Sequence, residues 1–135
     1  MTEILAPISP GELLDKLTIL RLKEERIAEP AKLAHVREER AALSDIARDA
    51  MPDSPEIRTL WDELYQINAI LWQVEDDIRA CEARQDFSET FVALARSVYR
   101  TNDRRAEIKR RINEALGSTL IEEKSYTDPD GEGAA

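Results

Sequence analysis

A chain of 135 residues with 28 acidic and 19 basic side chains carries a net charge of −9, so it is about one domain long and is repelled at long range by nucleic acid and by anionic membrane. Charged residues make up 35% of it and glycine occurs only four times, a balance that favours long amphipathic helices and leaves strands little to build on. No apolar run approaches the roughly 18 residues of a membrane span, the start "MTEILAPISP" lacks the pattern of a signal peptide, and the single Cys81 cannot close an internal disulfide, so a cytoplasmic protein is expected.

The first predicted helix opens at "SPGE", where Ser9 can cap, Pro10 suits the first helical position and Glu12 can close a capping box onto the Ser9 amide. Leu13, Leu17, Leu20, Glu24 and Ile27 then recur at spacings of 4, 3, 4 and 3, with Leu14 and Ile19 widening the stripe, until Pro30 ends it. A second helix, from about Ala31 to Ala50, is expected to bury Leu33, Val36, Leu43 and Ile46. His35, alone on this charged helix, reads as a surface residue.

The third helix repeats the start signal with Ser54 and Pro55 and runs to about Ala83. Leu60, Leu64, Ile67, Leu71, Val74, Ile78 and Cys81 keep an unbroken heptad rhythm, which predicts a core seam of coiled-coil type. Beside it runs a stripe that begins aromatic and turns polar: Trp61, Tyr65, Asn68, Trp72, Glu75, Arg79, Glu82. The fourth helix starts around "DFSE", with Asp86 or Ser88 as cap, and stops at Gly117. Its apolar side is Phe91, Leu94, Ala95, Val98, Ile108, Ile112 and Leu116, interrupted by Asn102 and Arg105. Leu120 and Ile121 can dock back, and "TDPDGEGAA" reads as a disordered tail, so the domain spans 1–126 and the tail 127–135.

Short connections favour antiparallel neighbours, and the expected fold is all-α, an antiparallel four-helix bundle. The second pair of helices is longer than the first by about 10 residues, or some 15 Å at 1.5 Å per residue, so its hairpin should overhang the first pair at the turn. The overhanging tip carries Val74, Ile78, Phe87, Phe91 and Leu94, and a second copy of the chain is the simplest cover for it, which predicts a homodimer.

Charge is unevenly distributed. Between Arg96 and Arg111 seven basic residues face two acidic ones, a local balance of +5 that leaves −14 for the rest. With the hairpin turn near residues 85 and 86, Glu75 should face Arg96, Trp72 should face Tyr99, and Asn68 should face Asn102 and Asp103, with Arg105 one turn further on. Two readings of this polar level follow. In one, Glu75 pairs with Arg96 and the asparagines fix helix register. In the other, Arg96, Arg105 and Lys109 hold a small anionic ligand, a phosphorylated or carboxylated metabolite, in a cleft walled by Trp72 and Tyr99. The candidate site is therefore Asn68, Trp72, Glu75, Arg96, Tyr99, Asn102, Arg105 and Lys109.

Other chemistries find less support. Glu75 and Glu82 lie on one stripe two turns apart while Asp76 and Asp77 rotate away by about 100° and 200°, so one helix cannot collect all four on a cation and no metal is expected. The EExxE motif of helical nucleotide pyrophosphohydrolases fails here, because Glu24 and Glu25 are followed by Ala28. No glycine-rich phosphate loop, serine elbow or zinc-spaced set of Cys and His occurs, and Cys81 has no base nearby, so no cofactor and no catalytic residue is assigned. The stretch "LLDKLTILRLKEERI" is similar to the first helix of helical chorismate mutases, which bind a small dianion with arginines, but the similarity does not extend to a full set of binding positions.

The blocks "ISPGELLDKLTILRLKEERI", "LWQVEDDIRACE" and "ARSVYRTNDRRAEIKRRIN", followed by "GS" and "IEEKSY", resemble a bacterial family of small all-helical proteins defined only as a domain of unknown function. The resemblance runs from about Ile8 to Tyr126. It implies no activity, but it implies that the polar positions belong to a family pattern. The expected function is that of a homodimeric interaction module rather than an enzyme, with the small-anion site as the alternative.

Overall fold

A computed structural model describes residues 2–131. Four helices follow one another in chain order: α1 Pro10–Arg26, α2 Pro30–Ala50, α3 Pro55–Ala83 and α4 Glu89–Ala115. The chain forms a helical bundle in which α3 and α4 make the long hairpin. α1 packs against all three other helices, whereas α2 packs along α1 without reaching across to α3 or α4.

The helix boundaries follow from local chemistry. Ser9 Oγ accepts from the Glu12 amide and Ser54 Oγ from the Ile57 amide, each at 3.2 Å, with proline at the first position of the helix. Pro30 is itself the first residue of α2, so it starts the second helix one residue earlier than expected. The hairpin turn is a Schellman motif: the Gln85 amide donates to Glu82 O and the Asp86 amide to Cys81 O, with Gln85 in the left-handed region at φ 58°. Gly117, at φ 64°, closes α4 in the same way through Glu114 O and Asn113 O.

The core joins Leu13, Leu14 and Leu17 of α1 to the α3 seam at Leu60, Leu64 and Ile67 and to Ile108 and Ile112 of α4. The rest of the expected α3 seam follows, with Val74 and Cys81 buried and Leu71 and Ile78 half-buried. On α2 only Val36 is fully buried, and Ile46, expected in the core, is 51% exposed because α2 meets a single neighbour. Glu24, which fell on the apolar rhythm of α1, faces α2 and is paired with Arg37 and Arg40.

One close approach locks α1 onto α4. Pro10 has no N–H, the Gly11 N–H donates to Asn113 Oδ1 at 2.7 Å, the Glu12 N–H reaches Ser9 Oγ, and the Leu13 N–H bonds Ser9 O, so the first turn leaves no donor idle. Glu12 does not close the expected capping box; its carboxylate is drawn to Lys109. A Cβ on Gly11 would lie 2.6 Å from the Lys109 carbonyl oxygen and 2.9 Å from Asn113 Oδ1. The obstacle is backbone and cannot rotate away. Gly11→Ala is therefore expected to cost about 1–3 kcal/mol despite alanine's better helix propensity, read as a lower urea midpoint at unchanged m-value.

Candidate functional site

The polar level halfway along the hairpin is organised by a residue of α1. Asp15 is 1% exposed, and its carboxylate accepts from Arg105 Nε at 2.9 Å, from a second Arg105 nitrogen, and from Asn68 Nδ2 at 2.9 Å. The same Asn68 Nδ2 donates to Thr18 Oγ1 at 2.9 Å, while the Thr18 hydroxyl donates to the Asp15 carbonyl at 2.8 Å. Because a carboxylate only accepts, these contacts fix the orientation of the Asn68 amide and leave its Oδ1 on the other side. Donating hydrogen bonds to Asp15 holds the pKa of the Arg105 guanidinium above even its ordinary value, against the opposing effect of burial.

Beside this network lies a cleft of about 380 Å³, with an apolar floor of Ile19, Leu22, Leu71 and Val98. Its polar edge is Asn68, Trp72, Glu75, Asp76, Asn102 and Arg105. Five of the eight expected site residues thus meet in one cavity. The other three lie elsewhere. Tyr99 is 43% exposed beneath Arg100, and Arg96 is exposed and makes no ion pair among the described residues. Glu75 does not pair with Arg96: it meets Arg79 one turn along its own helix at 3.0 Å. The reason is rotational. Val98, Asn102 and Arg105 turn toward α3, which puts residues 96 and 99 on the outer side of α4.

Lys109 belongs to a different assembly. Its side chain is 9% exposed, and Nζ lies 2.8 Å from Glu12 Oε2 and 2.8 Å from Glu122 Oε2. Burial opposes its charge, yet the hydrogen bonds to Glu12 and Glu122 outweigh burial and raise its pKa above the lysine norm. The segment after α4 is drawn back along that helix by further pairs: Arg110 with Glu123, Asp103 with Lys124, and Arg100 with Asp130 at 3.3 Å. Leu120 and Ile121, expected to dock, are 42% and 62% exposed, so charge and not apolar contact holds this segment. A cavity of about 910 Å³ lies between it and α4. The expected tail 127–135 is described as far as residue 131; 132–135 lie outside the described residues.

Asp15, Thr18, Glu12 and Asn113 are the participants that reading by apolar period passes over. A signal for them exists. Gly11, Asp15, Thr18 and Leu22 are spaced 4, 3 and 4 apart, the rhythm of a second seam on α1, and all four are buried. No group of three or more His, Cys, Asp or Glu side chains is placed to hold a metal ion among the described residues, and no helix among them is long and apolar enough to cross a membrane.

Fold and site together define an all-helical bundle pinned by a buried aspartate–arginine pair. The model of the "Family of unknown function (DUF6165)" matches residues 4–134, and the chain belongs to that family. No curated protein and no solved structure matches it.

Two predictions test the network. Asp15→Ala leaves Arg105 and Asn68 facing an uncompensated gap and is expected to lose about 3–5 kcal/mol, whereas the double variant Asp15→Leu/Arg105→Met, which removes both charges, should recover at least half of that in urea denaturation. Lys109 has a raised folded-state pKa, so its contribution is complete below the unfolded lysine value of about 10.4 and is lost as pH rises through the folded value. Lys109→Met is accordingly expected to cost about 1–2 kcal/mol at neutral pH, a moderate figure because both carboxylates reach solvent, and the gap to the parent should narrow as pH rises past the unfolded lysine value of about 10.4.

Proposed function

We propose that the protein is a helical interaction module that acts as a homodimer through the tip of the α3/α4 hairpin. The observation that carries this reading is the apolar surface at that end: Phe87 and Val92 are each 51% exposed, and Phe91, in edge-to-face contact with Phe87 at 5.3 Å between ring centres, is only half-buried, as are Ile78 and Leu94. Of the five tip residues, Val74 alone is fully covered within the chain. α1 ends at Arg26, whose guanidinium lies over Trp72, and α2 runs back along α1, so the last turns of the hairpin have only each other to pack against.

Apolar surface of this kind favours association by about 25 cal/mol per Å² removed from water. Charge supports a second copy as the occupant. Arg96, about 10 Å along α4 from its first residue Glu89, has no ion-pair partner among the described residues, and neither do Glu82 and Glu89 close to the turn. A two-fold antiparallel overlap of two tips lays the acidic end of each hairpin beside the free arginine of the other. The alternative, a small-anion site, calls on Arg96, Arg105 and Lys109; the charges of Arg105 and Lys109 are already matched by Asp15, Glu12 and Glu122, and Arg96 does not line the cleft.

Light scattering coupled to size-exclusion chromatography at micromolar concentration is expected to give the mass of two chains. Phe87→Glu, at an exposed position, should weaken association about tenfold or more without lowering helix content by circular dichroism. A single-chain mass across the accessible concentration range would overturn the proposal.

A further inference from the structure

The cleft beside the Asp15 network has a chemistry that neither a packing role nor an anion site uses. Asn68 is 5% exposed and commits its Nδ2 to Asp15 and Thr18, but its Oδ1 accepts no hydrogen bond from the protein. No sealed side-chain oxygen or nitrogen lacks a partner among the described residues, so Oδ1 keeps an opening, and Asn68 lines the cleft. An almost fully buried acceptor therefore looks into this cavity unpartnered. Asn102, half-buried on the opposite helix, likewise has an amide with no protein partner and lines the same space.

The charges at the rim have one sign in excess. Arg105 is the single cation of the lining and is already neutralised by Asp15 behind it; of the two carboxylates at the opening Glu75 is paired with Arg79, and Asp76 has no partner among the described residues. An anion entering here would meet the unpaired Asp76 carboxylate and a guanidinium whose charge is satisfied. A group carrying only donors meets Asn68 Oδ1, the Asn102 amide oxygen and the Asp76 carboxylate. The rest of the cavity is apolar, and Trp72 stands at its edge, its ring already drawing the Arg26 guanidinium to 5.8 Å. A volume of about 380 Å³ lies within the range of small-molecule pockets, roughly 300–1,000 Å³.

We propose that the cleft between α1, α3 and α4 is a binding site for a small primary ammonium compound with an apolar or aromatic body. The ammonium, with three donors and no acceptor, sits against Asn68 Oδ1 and Asn102 with Asp76 as counter-charge. The body lies on Leu71 and Val98 beside Trp72. This site is independent of self-association at the hairpin tip.

The test compares two probes of nearly the same shape and opposite charge, 2-phenylethylammonium and 3-phenylpropanoate, by titration calorimetry and by amide NMR spectra of the full chain. The ammonium is expected to bind at millimolar concentration or below and to shift the side-chain amide signals of Asn68 and Asn102, while the carboxylate shifts neither. Asp76→Asn, at an exposed position with no hydrogen bond or ion pair among the described residues, should weaken the ammonium about two- to fivefold, and Asn102→Leu should weaken it further while circular dichroism stays unchanged. The proposal is overturned if the carboxylate binds as well as the ammonium, if neither binds, or if the shifted signals lie away from the cleft. Measuring chain mass in the same samples separates this result from the fate of the dimer.

Discussion

Asp15 is a carboxylate with 1% of its surface exposed, and the placement of α1 depends on meeting its demand for donors. An ionised carboxylate taken out of water costs several kcal/mol unless its oxygens are hydrogen-bonded and its charge matched. Arg105 of α4 supplies the charge and two donors, and Asn68 of α3 supplies a third. The donors come from two different helices, so the carboxylate is satisfied only when α1 lies between α3 and α4 at one height and one rotation. A slip of one residue would turn Asp15 by about 100° and strand all three groups. Apolar packing alone discriminates less sharply, because leucines at 13, 14, 17, 20 and 22 offer several acceptable rotations.

The rest of the molecule is arranged around that constraint. Gly11, one turn before Asp15, permits the close contact with the α4 backbone that brings Arg105 within reach, and Asn113 caps the same turn. Lys109, one turn beyond Arg105, meets Glu12 and recruits Glu122 from the segment after α4. Five basic residues of α4, Arg100, Arg105, Lys109, Arg110 and Arg111, are thus matched by acids of α1, of α3 and of the C-terminal segment. Much of what reads along the sequence as a polarised surface is in space a set of ion pairs, while Arg96 and Arg104 make none among the described residues. α2 contributes little to this arrangement, in keeping with its single buried residue and its contact with α1 alone.

How much of this is legible in the sequence depends on what each signal encodes. Proline and serine at 9, 10, 54 and 55 act through local backbone geometry, and the helix starts lie where they indicate. The α3 seam is apolar at every heptad position, and its period is enough to orient the helix. The long hairpin also yields its register, because the turn position fixes which residues share a level, and Asn68, Asn102 and Arg105 do meet there. Two things escape. Rotation about α4 is one: an error of one residue is an error of about 100°, which separates the inward Val98 from the outward Tyr99. Asp15 is the other. It sits at heptad spacing with Gly11, Thr18 and Leu22, but a search for apolar periodicity does not count a glycine, an aspartate and a threonine as a core face.

Asn68 shows why a buried network and a cleft can share one residue. An amide has a donor end and an acceptor end, and Asp15, which can only accept, takes the donor end. A second carboxylate could not stand where Asn68 does, since it would meet Asp15 charge to charge, and a leucine would leave Asp15 and Thr18 each short of a donor. The asparagine solves the packing problem with one end only. The remaining oxygen faces outward because the inward side already holds an anion, so the electrostatics of the core determine the polarity of the cavity outside it. Arg105 reinforces the same outcome: bound to Asp15, it is held in place as a wall of the cleft, but it adds no free positive charge to it. The acceptor surface of the cleft therefore follows from the way α1 is pinned.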